Sequence, residues 1–177
     1  FSFRKPIVVD STFVQGKEFM EDFPLWLEIE DPDLKHESKG GKVKHMQGFD
    51  IRFTYGDGAT LQMHRIDRYN PNSGKLSAWV NIDTLFPGES NVLYMYFGSE
   101  QNLDTREVII GDRSMAGHYL DGGDDESRHR NDLFPFEWIN TEYINHQKVD
   151  SFALVGPLEE LDPTLPVEYA YFKGELK

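Results

Sequence analysis

The most constraining feature of this sequence is a series of short apolar or alternating segments between residues 3 and 98, separated by clusters of Gly, Pro, Asn and Asp. A period of two is typical of strands that bury one face, and frequent turn formers favour consecutive antiparallel strands. We therefore predict an all-β fold, an antiparallel β-sandwich of the jelly-roll kind. The six predicted strands cover residues 7–9, 23–29, 50–55, 61–66, 76–82 and 91–97.

The alternation also predicts which side chains point inward. Leu25 and Leu27 fall on one face of their strand, so Trp26 between them lies on the opposite face. In the next strand, Ile51 and Phe53 share the predicted inner face, and the polar side chains opposite them predict a half-buried strand. Those polar residues are Asp50, Arg52 and Thr54.

Three clusters of turn formers predict where the chain reverses, at residues 56–58, 70–74 and 87–88. The first is an aspartate with one glycine on each side, which predicts a tight hairpin between the flanking strands. Residues 36–48 are rich in Lys, Gly and polar side chains, so we predict an exposed loop there.

The charge distribution divides the chain in two. Residues 1–99 carry 11 basic and 14 acidic side chains, whereas residues 100–177 carry 7 and 17. We predict a β-sandwich domain over residues 1–99. Residues 100–177 are predicted to be an acidic β-rich extension, either a partial second unit or part of the same sandwich. Strands are predicted within it at residues 108–110, 151–156 and 167–172.

The net charge of −13 disfavours nucleic acids and anionic membrane surfaces as partners. Cysteine is absent, which excludes a disulfide framework, a thiol nucleophile and cysteine-based metal sites. No apolar run approaches the length of a membrane span. The chain opens with Phe1, which fits a mature end left by signal-peptide removal or a simple boundary, and we expect secretion.

Several ordered segments carry a family resemblance, among them Asp50-Ile51-Arg52-Phe53, Ala78-Trp79-Val80 and Tyr94-Met95-Tyr96-Phe97-Gly98. Over residues 3–98 the chain resembles a bacterial family of unknown function that occurs in secreted and cell-surface proteins. Members often precede a concanavalin A-like (laminin G-like) jelly roll, and some form periplasmic parts of proton channels. The resemblance implies an extracellular, cell-surface or periplasmic β-sandwich without a known catalytic site.

Residues 108–177 are loosely similar to the opening of such a jelly roll, but the chain ends before two complete sheets are supplied. The chain is then a fragment, or both regions form one sandwich, or another molecule completes a sheet. An incomplete sheet exposes unpaired N–H and C=O groups that a neighbour's strand can fill. Repeated strand exchange of this kind would give a homo-oligomer or a surface filament.

An acidic loop is the candidate metal site. Calcium prefers several carboxylate and carbonyl oxygens from a flexible loop, although the spacing here differs from the helix-loop-helix calcium pattern. A solvated loop is the alternative reading, and calcium is the one cofactor that the sequence suggests. Of the six histidines, His118 and His129 flank this loop, and none has zinc-helix spacing. The candidate ligands are Asp121, Asp124, Asp125 and Glu126.

Aromatic side chains are the candidate ligand or interface residues, because an exposed ring offers a flat apolar platform to sugars or proteins. Trp138 is the first candidate, Trp26 the second, and Phe136 and Tyr119 complete the set. Trp79 is predicted to be structural.

No catalytic constellation emerges from the sequence. Glu28 and Glu30 lie on one strand face, as solvated acids do, and no catalytic triad order is present. We therefore expect a non-catalytic module that contacts a glycan or protein surface. The alternatives are a filament subunit and an accessory module of a glycan-degrading enzyme.

Overall fold

The computed structural model describes residues 1–100 and 135–162, which form two antiparallel β-sheets and a short helical segment. The strands are β1 (Phe3–Val9), β2 (Met20–Glu30), β3 (Arg52–Tyr55), β4 (His64–Asn70), β5 (Lys75–Leu85), β6 (Asn91–Phe97), β7 (Ala153–Val155) and β8 (Glu159–Glu160), and the helices are α1 (Phe136–Gln147) and α2 (Val149–Phe152). No helix in these two ranges is long and apolar enough to cross a membrane.

The two sheets form a sandwich around one core, as the alternating pattern predicts. A five-stranded sheet has the order β3-β6-β1-β7, with β8 also paired to β1. A three-stranded sheet has the order β2-β5-β4. Phe23, Leu25 and Leu27 of β2 are buried, which confirms the predicted inner face and leaves Trp26 on the outer face.

Strand β3 differs from its prediction because both of its faces are buried. Ile51 and Phe53 lie in the core as expected, but Asp50, Arg52 and Thr54 are also buried. Nη1 of Arg52 donates to the Ile51 carbonyl oxygen at 2.8 Å, so the guanidinium is held against the backbone beside the strand. The prediction of a half-buried strand is therefore wrong for β3.

The predicted hairpin at residues 56–58 forms a turn with only a short ladder. Thr54 bridges Leu61, and N–H of Gln62 donates to the Phe53 carbonyl oxygen at 2.9 Å. The chain then crosses to the other sheet, where β4 starts at His64 rather than at residue 61. The predicted turn at residues 70–74 joins β4 to β5, and Gly74 is needed there because a Cβ would lie 2.0 Å from the Asp31 carbonyl oxygen.

The segment at residues 36–48 is exposed in large part, but it is anchored to the core. Val43 is fully buried and bridges His36, and a 3-10 turn at Glu37–Lys39 shapes the segment between them. A single valine among charged residues gives no periodic signal, so the sequence predicts an exposed loop and does not reveal the anchor.

Residues 153–160 belong to the same sandwich as the first hundred residues. Val9 pairs with Ala153 and Arg4 with Glu159, so β7 and β8 extend the five-stranded sheet. The predicted strand at residues 151–156 is right for β7, whereas residues 151–152 end α2. The strands predicted at 108–110 and 167–172 lie outside the described residues.

Helix α1 covers the edge of β2 that does not pair with β5. The Asn145 side chain makes the two hydrogen bonds that a neighbouring strand would make. Its Oδ1 accepts from the Trp26 N–H at 2.8 Å, and its Nδ2 donates to the Trp26 carbonyl oxygen at 3.1 Å. Oγ1 of Thr141, one turn earlier, accepts from the Gln15 N–H at 2.9 Å. The helix therefore satisfies backbone groups that an open edge would expose.

Asn145→Ala should lower the free energy of unfolding by about 2–4 kcal/mol, because two backbone groups of Trp26 lose their partners at a buried position. Urea unfolding followed by circular dichroism measures the change. Asn140→Ala, on the less buried side of the same helix, is the matched control and should cost less than about 0.5 kcal/mol. Equal losses in the two variants would contradict the edge-covering role.

Candidate functional site

Two tryptophans stand side by side on the outer face of the three-stranded sheet. Trp26 of β2 is the direct cross-strand partner of Trp79 of β5, and both side chains are half-buried. Their ring centroids are 4.8 Å apart and the ring planes are inclined by 47°. Because alternate residues of a strand point to opposite faces, the burial of Leu25 and Leu27 forces Trp26 outward.

Helix α1 and strand β4 border this indole pair on opposite sides. The imidazole of His146 lies 5.2 Å from the Trp79 ring, and its Nε2 is 4.0 Å from Oε1 of Glu142. On the other side, Arg65 of β4 is the cross-strand partner of Trp79. We call Trp26, Trp79 and His146 the aromatic patch.

The polar side chains around the aromatic patch include both donors and acceptors. Arg65 Nε donates to Asp67 Oδ1 at 2.7 Å, which balances the guanidinium charge locally. Glu28 follows Trp26 on the same face of β2 and is exposed. A half-open aromatic surface bordered by polar groups can stack against an apolar ring face while hydrogen-bonding its edge.

Trp138, the first candidate from the sequence, belongs to the core. It lies in the first turn of α1 and is 3% exposed. Its ring packs edge-on against Phe23 at 5.7 Å, and Nε1 donates to the Glu21 carbonyl oxygen at 3.4 Å. The indole therefore anchors α1 to β2, and the open platform expected of it is not present.

The other sequence candidates fall in different places. Phe136 begins α1 and is 75% exposed, ten residues before His146 at the opposite end of the helix. Tyr119 and the predicted calcium ligands Asp121, Asp124, Asp125 and Glu126 lie outside the described residues, as do His118 and His129. Within the ranges 1–100 and 135–162, no group of three or more metal-binding side chains converges.

Two buried polar residues have structural partners. The Asp50 carboxylate accepts backbone N–H groups from Lys44 at 2.9 Å, His45 at 3.1 Å and Gly98 at 3.0 Å. His64, on β4, places Nδ1 3.0 Å from the Gln62 carbonyl oxygen and packs its ring against Phe53. Burial lowers the pKa of His64 to about 4, so the imidazole is neutral at pH 7.

Sequence reasoning found Trp26 but missed Arg65 and His146 as its neighbours. The cross-strand position of Arg65 depends on the register of β4 against β5, which contains a shift between Ile66 and Arg68. His146 reaches the patch only because α1 lies along β2, and the sequence did not predict that helix. The sequence predicts a structural role for Trp79, and the structure places its ring beside that of Trp26.

The chain matches one known family over part of its length. Residues 47–127, less than half of the 177-residue chain, match a domain of unknown function (DUF2341). The matched range overlaps the segment that resembles an uncharacterised bacterial family and includes Trp79 of the patch. No curated protein matches the chain, and no solved structure matches it either.

Proposed function

We propose that this chain is a non-catalytic extracellular or cell-surface module that contacts glycans through the aromatic patch. The single observation that carries the proposal is the Trp26–Trp79 pair, two adjacent indoles on the outer face of a sheet. Both rings are partly exposed, and the apolar surface that they present on the sheet face favours association with a partner.

A sugar ring is a suitable partner for this surface. The apolar C–H face of a pyranose stacks on an indole, and its hydroxyl groups need hydrogen-bond partners at the rim of the platform. Arg65, Asp67 and Glu28 supply donors and acceptors close to the two tryptophans. Partly exposed rings held by a rigid sheet also lose little conformational freedom when a ligand binds.

The charge of the protein favours neutral glycans over uronate-rich or sulfated ones. The net charge is −13, and the guanidinium nearest the patch is already paired with Asp67. An anionic polysaccharide would therefore meet repulsion at long range. The resemblance to secreted and cell-surface proteins is the basis for placing the proposed function outside the cell.

Trp26→Ala and Trp79→Ala should each weaken binding of a neutral oligosaccharide at least about tenfold, because each removes one stacking surface. A glycan array identifies the ligand, and isothermal titration calorimetry with the strongest neutral hexasaccharide measures the change. Phe136→Ala is the matched control, since it removes an exposed aromatic ring outside the patch.

The control also separates two outcomes. If Phe136→Ala weakens binding while the two tryptophan variants do not, the interface lies on α1 and the patch is not the site. If no glycan binds at millimolar concentration, the proposal fails. Circular dichroism of each variant establishes that the fold is retained before binding is compared.

The filament alternative receives less support from the described residues. Asn145 occupies the outer edge of β2, and residues 60–62 bond to the outer edge of β3. The edge strand β4 contains a register shift in its pairing with β5 and carries the charged residues Asp67 and Arg68, features that discourage pairing with another strand. Size-exclusion chromatography and negative-stain imaging distinguish a monomeric module from a polymer.

A further inference from the structure

Helix α1 presents a row of apolar side chains to solvent. Its buried side includes Thr141 and Asn145, which bond to the backbone of Gln15 and Trp26. The row lies on the opposite side, at the spacing i, i+3 and i+7 that brings residues to one face of a helix. Its members are 75%, 52% and 62% exposed in chain order. We call these residues the outer stripe: Phe136, Ile139 and Tyr143.

The outer stripe belongs to a larger apolar surface. Phe19, which is 53% exposed, lines the same cavity as Pro135 and Trp138, so this surface continues past the first turn of α1. An aromatic side chain buries about 150–250 Å² when it is covered, so the stripe and Phe19 together offer roughly 450 Å² per molecule. Two such surfaces in contact would bury roughly 900 Å², the size of a weak, reversible protein interface.

The order of side chains in the outer stripe makes it complementary to itself. An aliphatic residue lies between two aromatic residues, at nearly equal distances along the helix. If two copies of α1 pack antiparallel with a two-fold axis beside Ile139, Phe136 of each copy meets Tyr143 of the other, and Ile139 lies next to its own copy. Each aromatic ring then has an aromatic partner, an arrangement that adds stabilisation beyond the buried area.

Charges at the two ends of α1 favour the antiparallel arrangement. Glu137 is exposed in the first turn, and Lys148, which follows the last residue of the helix, is also exposed. Antiparallel packing brings Glu137 of each copy toward Lys148 of the other, whereas parallel packing would bring like charges together. The net charge of −13 opposes association at long range, but salt at physiological concentration screens exposed charges that are more than about 8 Å apart.

We propose that the outer stripe is a dimer interface, in which α1 packs antiparallel against α1 of a second copy of this chain. The same surface is used on both molecules, so the contact closes after two copies and does not build a filament. The dimer carries two aromatic patches, but it does not depend on the glycan function proposed for them.

Ile139→Glu should convert the dimer into a monomer, because the two-fold axis places the new carboxylate beside its own copy. Sedimentation velocity over a concentration series should give a dissociation constant on the order of 100 µM for the native protein and at least about tenfold weaker association for the variant. Leu154→Glu replaces an equally exposed apolar residue on β7 and should leave the dimer intact as the matched control. A native protein that stays monomeric at millimolar concentration would overturn the proposal.

A second variant tests the symmetry of the contact. Ile139→Lys alone should also be monomeric, because it too places like charges at the axis. An equimolar mixture of Ile139→Lys and Ile139→Glu should associate again, since the two substituted side chains carry opposite charges in a mixed dimer. Restored association also shows that both variants are folded. If the mixture stays monomeric, or if Leu154→Glu abolishes the native dimer and Ile139→Glu does not, the outer stripe is not the interface.

Discussion

Asp50→Ala should lower the free energy of unfolding by about 3–6 kcal/mol, the largest effect that we expect from a single substitution in this protein. The carboxylate is fully buried, and it is the acceptor for three backbone N–H groups. Alanine would leave one buried and two partly buried donors without this acceptor, at about 1–2 kcal/mol each. Urea unfolding followed by tryptophan fluorescence measures the loss.

The size of this effect comes from the position of Asp50 between two parts of the chain. Lys44 and His45 belong to the anchored segment before β3, and Gly98 follows the last residue of β6. One carboxylate therefore joins a long connection to the central part of the five-stranded sheet. Losing it should expose the segment to proteolysis as well as lower global stability.

The control for Asp50 is Asp83→Ala, an exposed acid on β5 whose loss should change stability by less than about 0.5 kcal/mol. Asp50→Asn keeps the volume and one acceptor oxygen, so its loss should be smaller than that of alanine. A loss of less than 1 kcal/mol for Asp50→Ala would show that water replaces the carboxylate and that the three bonds are not decisive.

The strands were predictable because their side chains alternate, as in Leu25, Trp26 and Leu27. Alternation fails to reveal structure where both faces of a strand are buried. In β3, Arg52 and Thr54 look like surface residues in the sequence, yet they are buried beside Ile51 and Phe53. Local polar partners permit this burial, and the sequence does not show where those partners lie.

The sequence did not predict helix α1 because polar side chains lie on its buried side and apolar side chains are exposed. Its buried side includes Thr141, Glu142 and Asn145, whereas Ile139 and Tyr143 are exposed. The helix meets the bare edge of β2, where backbone groups need hydrogen-bonding side chains rather than apolar ones. A search for an apolar stripe at helical spacing therefore misses it.

Part of the candidate site was predictable from the alternation of side chains along the strands. The period of two placed Trp26 outward, but pairing it with Trp79 requires the register of β2 against β5, which the sequence does not state. The sequence favours Trp138 as a ligand or interface residue because it follows the acidic loop in the segment Phe134-Pro135-Phe136-Glu137-Trp138. Its burial follows from the orientation of α1 against β2, a tertiary contact that single-sequence patterns do not encode.

The second large effect concerns pH. His64 is buried in the core, where desolvation lowers its pKa to about 4, compared with about 6.5 in the unfolded chain. Between these two values the unfolded state binds more protons than the folded state, so stability is fully present above pH 6.5 and falls as the pH is lowered to 4. This single group should remove about 3 kcal/mol over that range.

A substitution isolates this contribution from the carboxylates that titrate in the same range. His64→Gln keeps an N–H donor for the Gln62 carbonyl oxygen and removes the titrating imidazole. The free energy of unfolding of the native protein exceeds that of the variant, and we expect this difference to decrease by about 3 kcal/mol between pH 7 and pH 4. Urea unfolding at a series of pH values measures both curves.

The control for His64 is Phe152→Leu, a substitution at a fully buried residue that does not titrate. It should lower stability by a similar amount at every pH, since volume loss in the core is independent of protonation. If the His64→Gln curve also stays parallel to the native curve, the imidazole accepts its proton without cost, through Nε2. Because Nε2 is buried with no partner within the described residues, and Arg52 adds positive charge nearby, we expect the curves to converge instead.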